Sequence, residues 1–140
     1  MQKIVVGVDG SDESWAALEE ALVIAQSRGA ELTAVHVEHL SAWTTLGLGA
    51  TLGDVYEADE RIRAELVDEA HRRGAATGAT IEVLTKKGRR PAQELIDVAS
   101  SIGAELIVVG HRGHGGATSW IGSVTNEVVH SSPCSVLVVR

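Results

Sequence analysis

The sequence predicts an α/β fold, a parallel five-stranded sheet with helices on both faces. Two observations carry that prediction. Short runs that are apolar throughout, such as Ile4-Val5-Val6-Gly7-Val8, recur along the chain, and strands without polar alternation are those buried on both faces. Helical patterns separate these runs in the order β-α-β-α-β-α-β-α-β, with no linker, internal repeat or low-complexity segment. One domain spanning residues 1–140 is therefore expected.

The first strand ends at Asp9-Gly10-Ser11. Ser11 suits the N-cap of the helix that follows, and Asp12 and Glu13 sit in its first turn, where the helix dipole favours acids. Trp15, Leu18, Leu22 and Ala25 share one face, and Arg28-Gly29 closes the helix. Glu31 to Val37 is the second strand. Residues 39–53 have no stable periodicity and are long for a connection, which suggests a flap or variable loop. Asp54 to about Thr77 is helical again. Its acid-to-base pairs Glu57/Arg61, Asp59/Arg63, Asp68/Arg72 and Glu69/Arg73 read as a solvated face. Thr80 to Thr85 forms a third strand. Pro91 opens a third helix, whose Leu95, Ala99 and Ile102 share a face. Glu105 to Val109 is the fourth strand and Ser135 to Val139 the fifth. Between them, Gly110 to Pro133 is glycine-rich at its start and helical at Val124 and Val128.

Composition narrows the function classes. With 140 residues, 44% hydrophobic and 22% charged, the chain buries enough surface to fold without a disulfide or metal. A single cysteine, Cys134, excludes an internal disulfide and a four-cysteine zinc site. The net charge of −7 argues against sequence-independent nucleic-acid binding. No segment has the length of a membrane span, and Met1 leads into a strand-like run without a signal-peptide pattern, so a cytoplasmic protein without membrane attachment is expected. The charge is uneven. Residues 1–70 hold 4 Lys/Arg against 14 Asp/Glu, whereas residues 71–140 hold 8 against 5. An anionic ligand would place its phosphates near the second half.

In an open parallel sheet, ligands bind beyond the carboxyl ends of the strands, where strand order reverses. The candidate segments are Asp9-Gly10-Ser11, Val37 onward, Lys86 to Arg90, and Gly110 to Ser123. Gly110-His111-Arg112-Gly113-His114-Gly115-Gly116 follows a strand and precedes a helix, and such a loop can bring backbone N–H groups close to an anion. It is neither a Walker A loop nor a dinucleotide fingerprint. Composition alone reads equally as a phosphate site or as a flexible connection. Gly122-Ser123, placed inside the following helical segment, favours the site, because an interior glycine costs about 1 kcal/mol and invites a reason.

These segments together resemble the universal stress protein family. The resemblance covers the chain from Ile4-Val5-Val6-Gly7-Val8-Asp9-Gly10-Ser11, through His36-Val37 and Gly88 before Pro91, to Pro133-Cys134-Ser135-Val136-Leu137-Val138-Val139. Gly110 and Gly113 match the start of that family's ATP-binding glycine motif, and Gly122-Ser123-Val124 its end. The resemblance implies a Rossmann-like sheet of the adenine nucleotide alpha hydrolase kind, ordered 3-2-1-4-5, with a nucleotide between strands one and four. It implies Asp9 and the Val37 backbone at the adenine, and Gly110 and Gly113 against ribose and phosphates. Gly122, Ser123 and Val124 would reach the outer phosphates. The ligand would be ATP, ADP or AMP, with magnesium or manganese where a triphosphate binds.

One departure bears on the ligand. Eight residues, His114 to Ile121, separate Gly113 from Gly122, where the motif has nine. Local backbone change would absorb the difference, or the site would favour AMP or ADP over ATP. Ser135 also stands where the family often has proline.

Arg112 suits a phosphate, since guanidinium geometry matches it. His111 and His114 lack carboxylate or cysteine neighbours in sequence, so no metal site is expected of them. Lys86, Lys87, Arg89 and Arg90 read as a solvated turn at the ligand end of an edge strand, from which Arg89 or Arg90 could bend inward or meet a partner. Trp43 and Trp120 fall on the ligand side, but packing is the simpler reading for them and for Trp15. Cys134 reads as an inert thiol. No nucleophile with a paired base is visible, so no catalytic residue is assigned.

The apolar strand 135–140 is expected at the sheet edge, an aggregation hazard unless paired. A homodimer through that strand removes it, which the resemblance also implies. Three functions follow: nucleotide-dependent interaction with an unknown protein partner, weak ATPase or phosphotransferase activity, and a nucleotide-free dimeric interaction module.

Overall fold

The computed structural model describes residues 2–39, 52–112 and 121–140, and the side chains of these except 39 and 52–58. The elements are β1 (Lys3–Gly7), α1 (Asp12–Arg28), β2 (Glu31–His39), α2 (Leu52–Ala76) and β3 (Ile81–Gly88). Then come α3 (Pro91–Ile102), β4 (Leu106–Gly110), α4 (Ser123–Ser131) and β5 (Ser135–Val139). The strands form one sheet in the order β3-β2-β1-β4-β5, and every adjacent pair is parallel. This is the expected architecture and strand order.

The unbroken apolar runs have a direct structural cause. Side chains alternate across a strand, and here both faces are covered. Ile4, Val6 and Val8 pack with Leu18 and Leu22 of α1 and Leu66 and Ala70 of α2. Val5, Val35, Ile107 and Val109 pack on the other face with Leu95 and Ala99 of α3 and Val128 of α4.

The first helix is capped as its sequence predicts. Ser11 Oγ accepts the Ser14 N–H at 3.2 Å, and Gly29 ends the helix at φ 63°, its N–H reaching the Ala25 and Gln26 carbonyls. Trp15 is half-buried against the core, and the Arg73 guanidinium lies 5.0 Å above its ring. Pro91 opens α3 and Gly103 closes it in the left-handed region, φ 70°. Cys134 is half-buried beside the α3/α4 face of the core. No helix among the described residues is long and apolar enough to cross a membrane.

Three expectations need adjustment. The third strand runs three residues further than its apolar pattern, to Gly88, because β2 also continues and pairs Lys86 with Val37 and Lys87 with Glu38. Ladder pairing, not side-chain pattern, sets that end. Secondly, α2 is more than a solvated face. Arg73 bonds Glu69 at 2.8 Å and also reaches Glu19 of α1, while Arg63 pairs with Glu60 and Glu38. Arg72 bonds Glu69 at 2.5 Å, with the Asp68 carboxylate acting on it electrostatically as well. Hydrogen bonds from Arg72 and then Arg73 hold the Glu69 carboxyl below its ordinary range. The Glu57/Arg61 pair lies outside the described side chains. Lastly, residues 40–51 of the expected 39–53 loop lie outside the described residues, and 39, 52 and 53 belong to β2 and α2.

Gly29 offers a clean test of the α1 terminus, since a Cβ there meets nothing within 4 Å. Gly29→Ala is expected to destabilise by about 1 kcal/mol through backbone conformation alone. Thermal unfolding followed by circular dichroism should show a midpoint lower by roughly 2–6 °C.

Candidate functional site

The chain leaves β1 toward β2 on one side, and β4 lies on the other. Crossovers diverge at such a reversal and leave a notch above the carboxyl ends of the strands. A cleft of about 590 Å³ occupies that position, with Gly7, Val8, Val35 and Val109 at its base.

Asp9 stands at the end of β1 and is tied to the cap of α1. Its Oδ1 accepts the Ser11 N–H at 2.9 Å and the Ser11 hydroxyl at 2.5 Å, while its N–H donates to Ser14 Oγ at 3.2 Å. Gly10 makes the turn at φ 87°. His36 is buried one strand away, its Nδ1 3.0 Å from the Val8 carbonyl. A carbonyl only accepts, so Nδ1 carries the hydrogen in this contact. That bond joins the ends of β1 and β2 beneath Val37.

Gly110 ends β4 in close contact with α1. A Cβ at Gly110 would lie 2.8 Å from the backbone carbon and oxygen of Glu13. Helix packing thus accounts for this glycine without any ligand. Its carbonyl accepts the Thr125 hydroxyl at 2.7 Å. The chain then turns back, with the His111 N–H on the Val139 carbonyl at 2.7 Å and the Gly122 N–H on the His111 carbonyl at 2.9 Å.

Gly122 is the N-cap of α4, extended at φ −66° and ψ 154°, and not an interior helical residue. The interior propensity cost inferred from the sequence does not apply, because glycine is tolerated at an N-cap. The cap supplies no side-chain acceptor, so the first-turn N–H groups around Ser123 and Val124, both on the cleft wall, need partners from outside the helix.

The cleft wall is also cationic. Arg112 Nη2 lies 3.8 Å from Glu13 Oε1, and its Nε is buried with no hydrogen-bond partner among the described residues. Arg89 and Arg90 also line the cleft, and Arg90 Nη2 bonds Glu127 Oε1 of α4 at 2.6 Å. The two arginines remain exposed, as a turn requires, yet they border the cleft.

Of the residues singled out in the sequence, Asp9, Val37, Gly110, Arg112, Gly122, Ser123 and Val124 all line this cleft. Gly113, His114, Trp43 and Trp120 lie outside the described residues. Sequence reasoning missed Thr125 and Glu127 and set Arg89 and Arg90 aside. Glu127 had a faint signal, since it falls four residues after Ser123 and so shares its helix face. Among the described residues, no group of three His, Cys, Asp or Glu side chains could hold a metal ion.

Fold and cleft together define an open Rossmann-like α/β protein with a cleft at the reversal of its strand order. Residues 1–140 match the universal stress protein family, and the chain belongs to that family. A universal stress protein of Bacillus subtilis, YxiE, is 36% identical over 149 residues, covering 99% of this chain and 98% of its own. A universal stress protein crystallised in complex with cAMP has a TM-score of 0.75 and 31% identity, covering 99% of this chain and 96% of its own. One from Archaeoglobus fulgidus, in complex with dAMP, has a TM-score of 0.72 and 25% identity over 100% and 98% of the two chains.

Gly110→Ala drives a methyl group into rigid backbone, so we expect destabilisation of about 1–3 kcal/mol, measurable by urea unfolding without any nucleotide present.

Proposed function

We propose that the cleft binds an adenine nucleotide, and that the chain is a stress-response protein whose contacts with other proteins depend on the bound ligand. The observation that carries this reading is the buried Arg112 Nε–H with no acceptor among the described residues, on a wall it shares with the uncapped start of α4. An unpaired buried donor is costly. A phosphate oxygen supplies the acceptor, in a geometry that suits a guanidinium. The relatives solved with cAMP and dAMP support adenine nucleotides as the ligand class. The stress-response role follows the family.

In this reading Asp9 and the Val37 backbone meet the adenine. Gly110, Arg112 and Gly113 run along ribose and phosphates, and Gly122, Ser123 and Val124 take the outer phosphates. ATP, ADP and AMP are the candidate ligands. A magnesium or manganese ion would enter on the phosphates of a triphosphate, since the described side chains offer no metal site of their own. Strand β5 pairs with β4 on one side only, and we propose that its other edge, 135–140, pairs with a second copy of the chain. Sedimentation equilibrium is expected to return twice the chain mass of 14.7 kDa; a monomer at all concentrations would overturn the dimer.

Purified protein is expected to release an adenine nucleotide on denaturation, identified by mass spectrometry, or to bind added AMP, cAMP, ADP or ATP by calorimetry. Arg112→Gln should weaken binding about tenfold or more while leaving the circular dichroism spectrum unchanged. A chain that releases no nucleotide and gives no heat with any of the four would overturn the reading.

A further inference from the structure

We propose that Arg90 and Glu127 act as a charge filter, so that the cleft accepts an adenosine phosphate with a single negative charge in preference to a triphosphate. The proposal rests on the nucleotide reading and adds the ligand's charge state.

The pair spans the cleft rim. Arg90 is the N-cap residue of α3 and makes no cap bond with its side chain. Its Nη2 instead bonds Glu127 Oε1 of α4 at 2.6 Å, and both residues line the cleft. Glu127 stands one turn beyond Ser123, on the same face of α4. A phosphate that extends past the start of α4 toward Arg90 therefore meets a carboxylate first. To gain Arg90 it must displace Glu127 and leave that charge beside its own.

Formal charge points the same way. Arg89, Arg90 and Arg112 line the cleft with Asp9 and Glu127, and Glu13 lies beside Arg112, so three positive charges stand against three negative ones. Arg90 and Arg112 already have acidic partners in Glu127 and Glu13. Residues 40–51 and 113–120 contain no Asp, Glu, Lys or Arg, so neither stretch alters that balance. A singly charged phosphodiester departs least from it. Each further phosphate adds negative charge close to the Glu127 carboxylate.

The test is calorimetric titration at one low salt concentration with cAMP, AMP and metal-free ATP. Wild-type protein is expected to bind cAMP more tightly than ATP. Glu127→Gln should narrow that ratio by roughly three- to tenfold, chiefly by tightening ATP. Arg90→Gln, which leaves Glu127 without its partner, should widen it, and this variant decides the matter if Glu127→Gln does not fold. A wild-type preference for ATP over cAMP, or a ratio unmoved by these changes while nucleotide still binds, overturns the filter and leaves the nucleotide reading standing. No binding of any nucleotide to the wild-type chain overturns both.

Discussion

The contact between Gly110 and the backbone of Glu13 is the constraint on which the site depends. It sets the first turn of α1 against the end of β4 at a distance that admits no side chain. With the helix that close, the chain beyond β4 must turn away from α1. It does so through His111, whose N–H is held by Val139 and whose carbonyl receives Gly122. The Thr125 hydroxyl then anchors α4 to the Gly110 carbonyl itself. One close approach thereby fixes both walls of the cleft: Asp9 and Ser14 on the α1 side, and Ser123 and Val124 on the α4 side.

Much of this was legible in the sequence, for identifiable reasons. Strand cores announce themselves where both faces are buried, as at Val5 and Val6, and caps announce themselves by residue type, as at Ser11, Gly29 and Pro91. What escaped detection depends on partners distant in sequence. Lys86 and Lys87 look like turn residues, but β2 continues alongside them and they become the end of a strand. Arg73 looks like one partner in an i,i+4 pair, yet it also bridges to α1 through Glu19 and Trp15. Gly122 has one composition and two possible meanings, helix interior or helix cap, and only the backbone angles separate them.

The uneven charge along the chain acquires a spatial sense. All three arginines at the cleft come from the basic second half, from the β3–α3 turn and the segment after β4. Two of their acidic partners, Glu13 and Glu127, come from α1 and α4. Opposite charges thus meet at the carboxyl end of the sheet, where the open notch keeps them partly solvated. Exposed pairs of this kind add little to folding. Their influence falls on what enters the notch, because a ligand replaces their solvent and competes for their partners.

The glycine-rich segment is where a single pattern hides several causes. Gly110 is required by packing against Glu13, and Gly122 serves as a helix cap. Neither needs a phosphate to explain it. The interval between Gly113 and Gly122 is one residue shorter than in the motif that the sequence resembles, and the described residues His111 and Gly122 are tied by the bond from the Gly122 N–H to the His111 carbonyl at 2.9 Å. Arg112, Ser123 and Val124 reach the cleft from positions that neighbour the tie, so their placement follows from the sheet and α4 instead of from the length of the segment between them. That wall of the cleft is therefore set by secondary structure.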